Sequence, residues 1–120
     1  MDTRSKIVTP AAARLLPPPL VAATGYFEIL RTGLVRDLRE VREQAAGAAL
    51  IAVVLPLANG AHAQRARAEL AAGLRLIDYV VIADDDPHAL IDSLKPVVTA
   101  RLEEAEAQRA RELREHVRSL

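Results

Sequence analysis

The chain has 120 residues with 16 basic and 16 acidic side chains, and 51% of it is hydrophobic but only 2% aromatic. This length indicates one domain with a core of Ala, Val, Leu and Ile, while the zero formal charge disfavours a nucleic-acid partner. The absence of cysteine excludes disulfides, and the lack of a signal peptide or of roughly 20 consecutive apolar residues predicts a cytoplasmic protein without a membrane partner.

The first 19 residues are interrupted by Pro10 and by Pro17-Pro18-Pro19. Prolines lack an N–H donor and restrict the residue before them, so we predict an N-terminal extension over residues 1–19 with a short helix over residues 11–16. Leu20 to Thr24 then forms an apolar run without alternation, which is typical of a parallel strand covered on both faces. We predict that the core begins with this strand and covers residues 20–99.

A helical pattern opens at Gly33 and is expected to stop near Gly47. Its apolar stripe comprises Leu34, Val35, Leu38, Val41 and Ala45. Ala49 to Leu55 is predicted to be the second strand, because it is apolar throughout and Pro56 ends its ladder. A right-handed crossover through the helix would make the two strands parallel.

Asn59-Gly60 marks a turn before a predicted helix from Ala63 to Leu74. We expect Ala66, Leu70 and Leu74 to face inward from this helix. Ile77 to Ile82 is the third predicted strand.

Asp86 is predicted to cap the next helix and Pro87 to occupy its first position. Val97 to Thr99 is the fourth predicted strand, and a charged helix over residues 101–117 fills the C-terminal segment, residues 100–120. The alternation of strands and helices predicts a single α/β domain with a three-layer, Rossmann-like parallel sheet of at least four strands.

The segment from Gly25 to Gly33 joins the first strand to the first long helix. Backbone N–H groups at a helix start have no intrahelical partner and lie at the positive end of the helix dipole, so they favour a phosphate. The glycine spacing is not that of the dinucleotide fingerprint Gly-x-Gly-x-x-Gly.

Residues 25–34 read Gly-Tyr-Phe-Glu-Ile-Leu-Arg-Thr-Gly-Leu. They resemble the signature Gly-x-Phe-Asp-x-x-His-x-Gly-His of the cytidylyltransferase-like nucleotidyltransferases. Residues 67–81 are similar to that family's Arg-rich helix and Val-Asp-Tyr-Val-Val strand, and residues 86–98 to the segment that follows. The resemblance covers Leu20 to Val98 and points to the small enzymes that act on glycerol phosphate or heptose phosphate.

The resemblance implies a nucleotide or phosphate ligand, with CTP or ATP and Mg²⁺ as the candidates. The candidate binding residues that it implies are Gly25, Tyr26, Phe27, Glu28, Arg31 and Gly33.

The chain departs from the family at the positions that carry catalysis. Arg31 and Leu34 replace the two histidines, the loop from Pro56 to Ala63 has no lysine, and the C-terminal helix lacks a Ser/Thr-rich start. We therefore assign no catalytic residue. A guanidinium pairs well with phosphate, so Arg31 could be a ligand-binding group; the alternative, an ordinary exposed loop arginine, is slightly favoured.

Two other groups of residues invite a metal site. Asp84-Asp85-Asp86 offers oxygen ligands, but Asp86 is needed as a cap and three consecutive aspartates cannot all face one ion. His62, His88 and His116 lie far apart without other ligands at zinc spacing. We predict no metal site.

Three hypotheses for function remain. The first is a nucleotidyltransferase homologue that is catalytically impaired and keeps a weak nucleotide or phosphate site. The second is an active cytidylyl- or adenylyltransferase for a small phosphorylated alcohol or sugar. The third is a non-enzymatic, homo-oligomeric interaction scaffold; a homodimer is expected in each case.

Overall fold

The computed structural model describes residues 3–28, 32–56, 63–84 and 86–119. Its centre is a five-stranded sheet in the order β1-β4-β3-β2-β5, and every paired strand runs parallel to its neighbour. The strands are β1 (Ile7–Val8), β2 (Leu20–Gly25), β3 (Ala49–Val54), β4 (Tyr79–Ile82) and β5 (Val98–Arg101). The predicted fold class, a Rossmann-like parallel sheet of at least four strands, is confirmed.

Helices cover both faces of this sheet. They are α1 (Pro10–Ala13), α2 (Thr32–Gln44), α3 (Gln64–Ala72), α4 (Pro87–Leu94) and α5 (Leu102–Ser119), and a 3-10 turn precedes β1 at Thr3–Lys6. One apolar cluster joins the sheet to α2, α3 and the start of α5, and a second joins it to α1 and α4. The molecule therefore has three layers, with helices on both sides of the sheet.

The two central strands explain why their sequences are apolar without alternation. In β3, Leu50 and Ala52 belong to the first cluster while Ile51 and Val53 belong to the second. Successive side chains point to opposite faces, and each face is covered by helices, so both sets of positions must be apolar. β2 and β3 pair over their full lengths, from Leu20 opposite Ala49 to Gly25 opposite Val54.

β1 is a strand that the sequence analysis did not predict. It places Ile7 opposite Val80 and Val8 opposite Val81 at the edge of the sheet. Lys6 anchors the start of this strand, because its Nζ donates to the carbonyls of Leu74 (3.1 Å) and Ile77 (3.0 Å). A strand of two residues is too short for its hydrophobic period to be recognised.

The inward face of α3 differs from the prediction. Ala66 and Leu70 are exposed, whereas Arg67, Ala68, Ala71 and Ala72 are buried. Only Leu74, beyond the helix end, packs against the core as expected. The prediction was wrong because it gave Leu70 the core position, while the helix lies close to the sheet and small alanines allow that approach.

The predictions for Asp86 and Pro87 at the start of α4 are confirmed. The Asp86 carboxylate accepts the N–H of Ala89 at 3.0 Å, and Pro87 is the first residue of α4. Gly47 has φ +89° in the turn after α2, a conformation that favours glycine. The helix itself ends three residues earlier, at Gln44.

The strand order places a topological switch point between β2 and β5. From β2 the chain moves to β3 and β4 on one side, and then returns to place β5 on the other side of β2. Ligands of open α/β sheets bind at such a switch point, outside the carboxyl ends of the strands. The fold therefore favours a ligand site at the carboxyl ends of β2 and β5.

No helix in the described part of the chain is long and apolar enough to cross a bilayer.

Candidate functional site

Two consecutive backbone N–H groups follow β2 at the switch point, and both bind one carboxylate. The N–H of Tyr26 donates to Oε1 of Glu106 at 3.0 Å, and the N–H of Phe27 donates to Oε2 of the same residue at 3.2 Å. Adjacent N–H groups that converge in this way form an anion-binding concavity, and bonds to an ionised acceptor are stronger than neutral ones. The structure thus shows an anion-binding arrangement whose occupant is a side chain of α5.

Phe27 fixes the direction of its own N–H. Its φ is +53°, which a bulky residue adopts only when its surroundings demand it, at a cost of roughly 1–3 kcal/mol. The ring is fully buried in the first apolar cluster, together with Leu34 and Leu102. Packing of the ring holds the strained backbone in place.

Gly25 makes room for the bound carboxylate. A Cβ at this position would lie 2.5 Å from Oε1 of Glu106 and 3.2 Å from the Phe27 ring. No carbon can approach an oxygen to 2.5 Å without a shift, so a side chain here would displace Glu106. The glycine is explained by this close approach of a side chain, because only a residue without a Cβ leaves room for it.

Arg67 binds the other side of the same loop. The residue is only 1% exposed, and Nη1 of its guanidinium donates to the carbonyls of Tyr26 and Leu55, each at 2.8 Å. The Tyr26 carbonyl and the Phe27 N–H belong to one peptide group. A cation on that carbonyl polarises the peptide and strengthens its N–H as a donor, so Arg67 favours an anion at the N–H pair without touching it.

A second carboxylate of α5 lies beside the first. The hydroxyl of Thr24, itself buried, donates to Oε2 of Glu103 at 2.7 Å. α5 follows β5 without a loop, since Arg101 ends the strand and Leu102 begins the helix. Residues three apart share one helix face. Because α5 begins directly at the end of β5, Glu103 and Glu106 both lie at the carboxyl end of β2.

The predicted site residues are brought together in part. Gly25, Tyr26 and Phe27 form the loop around the bound carboxylate. Glu28 follows half-buried, and Gly33 is the half-buried second residue of α2. Arg31 lies outside the described residues. Whether these groups bind a ligand stays a prediction.

Leu34 has a different environment from the one that a catalytic residue needs. The resemblance places the second histidine of the signature at this position, but the Leu34 side chain is 2% exposed and belongs to the first apolar cluster. It packs against the core.

Arg67, Glu103 and Glu106 were missed by the sequence analysis. The sequence contained a clue to Arg67, because this charged residue lies among closely spaced alanines, in the segment that resembles the family's Arg-rich helix. Nothing in the sequence distinguished the two glutamates, since α5 contains many charged residues and the path of the chain from β5 determines which of them lie beside the loop.

Comparisons with known proteins bear on the fold. No protein-family model matches the chain, and no curated protein matches its sequence. A solved structure, the lipopolysaccharide core biosynthesis protein from Thermoplasma volcanium GSS1, is similar over 77% of this chain and 84% of that one, with a TM-score of 0.61 and 23% identity. The two chains share a fold. At this identity the similarity extends to the three-layer α/β architecture and no further.

The acidic loop after β4 has local hydrogen bonds. Asp84 accepts the N–H of Asp86 at 3.2 Å, and Asp86 caps α4; Asp85 lies outside the described residues. Among the residues that the structure describes, no three His, Cys, Asp or Glu side chains are grouped as metal ligands. His88 and His116 are exposed, and His62 is not described.

A cavity of about 640 Å³ lies at the opposite end of the sheet. Arg42 and Asp78 contribute to its lining and bind each other at 2.8 Å, while Asp78 also accepts the N–H of Leu50 at 2.8 Å. These bonds attach α2 to the amino ends of β3 and β4. The cavity is thus remote from the switch point, and Arg42 and Asp78 of its lining are paired with each other.

Proposed function

We propose that this chain is a nucleotidyltransferase-like domain that binds phosphate groups weakly at the switch point and does not transfer nucleotides. The observation that carries the proposal is the pair of N–H groups of Tyr26 and Phe27, which converge on an anion at the carboxyl end of β2. In open α/β sheets this is the place where ligands bind.

Three further features support the phosphate site. Gly25 leaves space for oxygen atoms against the backbone. The buried guanidinium of Arg67 adds positive charge behind the loop. The description of the similar solved structure as a lipopolysaccharide core biosynthesis protein fits the resemblance to heptose-phosphate adenylyltransferases. The ligand class is therefore a nucleotide or a smaller phosphate compound, with CTP and ATP as the candidates.

The proposed loss of catalysis follows from chemistry. Nucleotidyl transfer relies on positioning and on donors that stabilise charge in the transition state. Leu34 is a buried aliphatic side chain at one of the two histidine positions, and removal of one such donor lowers rates by roughly 10²–10³. The loop lysine and the hydroxyl-rich helix start are absent from the sequence as well. Each loss lowers the rate further.

A thermal-shift series tests this function. CTP, ATP, CDP and CMP, with and without Mg²⁺, should each raise the melting temperature slightly, because a ligand that binds the native state stabilises it. Arg31→Ala should reduce the shift, as Arg31 is the one basic residue between Gly25 and Gly33. Arg36→Ala, an exposed position on α2, is the control. Absence of any shift in the wild type would refute ligand binding, and release of pyrophosphate with glycerol phosphate or heptose phosphate would refute the loss of catalysis.

A homodimeric scaffold is the second candidate function. The observation in its favour is the later part of α5, whose described side chains from Arg111 to Arg118 are all exposed, with Val117 60% exposed. Contact with a second copy of the chain would cover this exposed apolar side chain. Nucleotide-independent dimerisation without any thermal shift would favour this function.

A further inference from the structure

We propose that Glu106 is an intramolecular competitor for the phosphate site, so that an anionic ligand binds only when this carboxylate leaves the N–H groups of Tyr26 and Phe27. The inference rests on the proposed function, since it assumes that these N–H groups bind phosphate. It adds that the site is closed by the protein's own C-terminal helix.

The contact of Glu106 reproduces the way a phosphate would bind. Its two oxygens accept one N–H each, at 3.0 and 3.2 Å, and two oxygens of a phosphate can accept the same two donors. Oε1 lies 2.5 Å from the position that a Cβ of residue 25 would take, so the carboxylate uses the space that the glycine leaves. Phosphate and carboxylate cannot occupy this position together.

Glu103 also disfavours the binding of phosphate at the N–H pair. Its carboxylate is held beside the loop by Thr24, and a fixed negative charge at this place opposes the approach of a second anion. Both glutamates belong to the first turns of α5, and Leu102 of the same turn is buried in the core. The start of α5 is therefore the element that controls access to the site.

The cost of this arrangement appears as a loss of apparent affinity. A ligand that binds only the open form has its affinity reduced by the fraction of molecules that are open. If the carboxylate occupies the N–H pair in about nine molecules of ten, its removal tightens binding roughly tenfold.

Calorimetric titration with inorganic pyrophosphate tests the proposal in the wild type, Glu106→Ala and Glu104→Ala. Glu104 is exposed on the same helical turn, so the two variants remove the same charge from the same element and differ in the contact with the loop. We expect Glu106→Ala to bind pyrophosphate about ten times more tightly than the wild type, while Glu104→Ala changes the affinity less than twofold. An equal gain in both variants would overturn the proposal, because general electrostatics would then explain it.

Amide hydrogen exchange provides a readout that needs no ligand. The amides of Tyr26 and Phe27 should exchange faster in Glu106→Ala than in the wild type or in Glu104→Ala. Unchanged exchange would overturn the proposal, since the contact would then be absent in solution. If the amides exchange faster in Glu106→Ala but pyrophosphate binds with equal affinity to this variant and the wild type, Glu106 does not compete with phosphate. The proposed function would then still hold. Absence of pyrophosphate binding in all three proteins overturns both.

Discussion

One peptide group, between Tyr26 and Phe27, is bound by opposite charges on its two sides. The guanidinium of Arg67 donates to its carbonyl and the carboxylate of Glu106 accepts its N–H. Because each interaction polarises the peptide in the same sense, the two strengthen each other. The local chemistry at the end of β2 depends on two residues that lie 39 positions apart in the chain, and neither is part of the loop.

Replacement of Arg67 should be costly. Arg67→Met removes the donor of two carbonyl oxygens beneath the loop, and we expect a loss of about 3 kcal/mol in the free energy of unfolding. Arg65→Met is the control, because Arg65 is exposed on the same helix and pairs with Glu69 at 3.5 Å; it should cost less than about 0.5 kcal/mol. Urea unfolding of both variants makes the comparison. Equal costs would show that the buried contacts of Arg67 contribute nothing specific.

Leu34 allows a test of the resemblance at the level of one side chain. Leu34→His places a polar ring in the apolar cluster, so we expect a loss of roughly 3 kcal/mol or more in stability and no gain of nucleotidyltransferase activity. Gln44→His, at an exposed position of the same helix, should change stability by less than about 0.5 kcal/mol. A stable Leu34→His variant that releases pyrophosphate from CTP would contradict the assignment of Leu34 to the core.

The helix α5 is attached to the sheet by its first turns. Leu102 is buried at its start, whereas Val117 is 60% exposed near its end. Leu102→Ala should therefore cost about 2–4 kcal/mol of unfolding free energy, and Val117→Ala should be neutral within about 0.5 kcal/mol. Thermal or urea unfolding at one low protein concentration measures both. A large cost for Val117→Ala would mean that the end of the helix is also packed in solution.

Secondary-structure elements with a clear period or cap were predictable from the sequence. The strands around Ala22, Val53 and Val81 were recognised because both faces are apolar, and α4 because Asp86 and Pro87 mark its start. β1 was not predictable, since two residues carry no period, and the inward face of α3 was misassigned because alanines rather than Leu70 approach the sheet.

Of the candidate site, the loop after β2 was predictable from the sequence and the residues of α5 were not. The loop from Gly25 to Phe27 could be located from its position after a buried strand. Glu106 could not, because nothing in a helix with many charges distinguishes the residue that the turn from β5 into α5 directs at this loop. Contacts between residues that are distant in sequence depend on the path of the chain, which local patterns do not specify.

The whole molecule measures 50 × 32 × 28 Å. We predict that it forms a homodimer, because its core is poor in large side chains, its zero net charge does little to oppose self-association, and small members of the resembled family usually pair. Light scattering at high micromolar concentration should give twice the mass of the chain, which is 13.0 kDa. A monomer under these conditions would contradict the prediction and remove the scaffold as a candidate function.

The architecture keeps two polar regions apart at opposite ends of one sheet. The carboxyl end holds the N–H pair with Glu106, and the amino end holds the cavity beside Arg42 and Asp78. We propose that phosphate binds at the first of these regions.

An NMR titration of the ¹⁵N-labelled protein with CTP, and separately with ATP, tests this proposal. Backbone N–H groups bind phosphate whatever base is attached to it, so the amide resonances of Tyr26 and Phe27 should shift with both nucleotides and at similar, weak affinity. Shifts confined to residues around the amino-end cavity, or shifts with one nucleotide and none with the other, would contradict it.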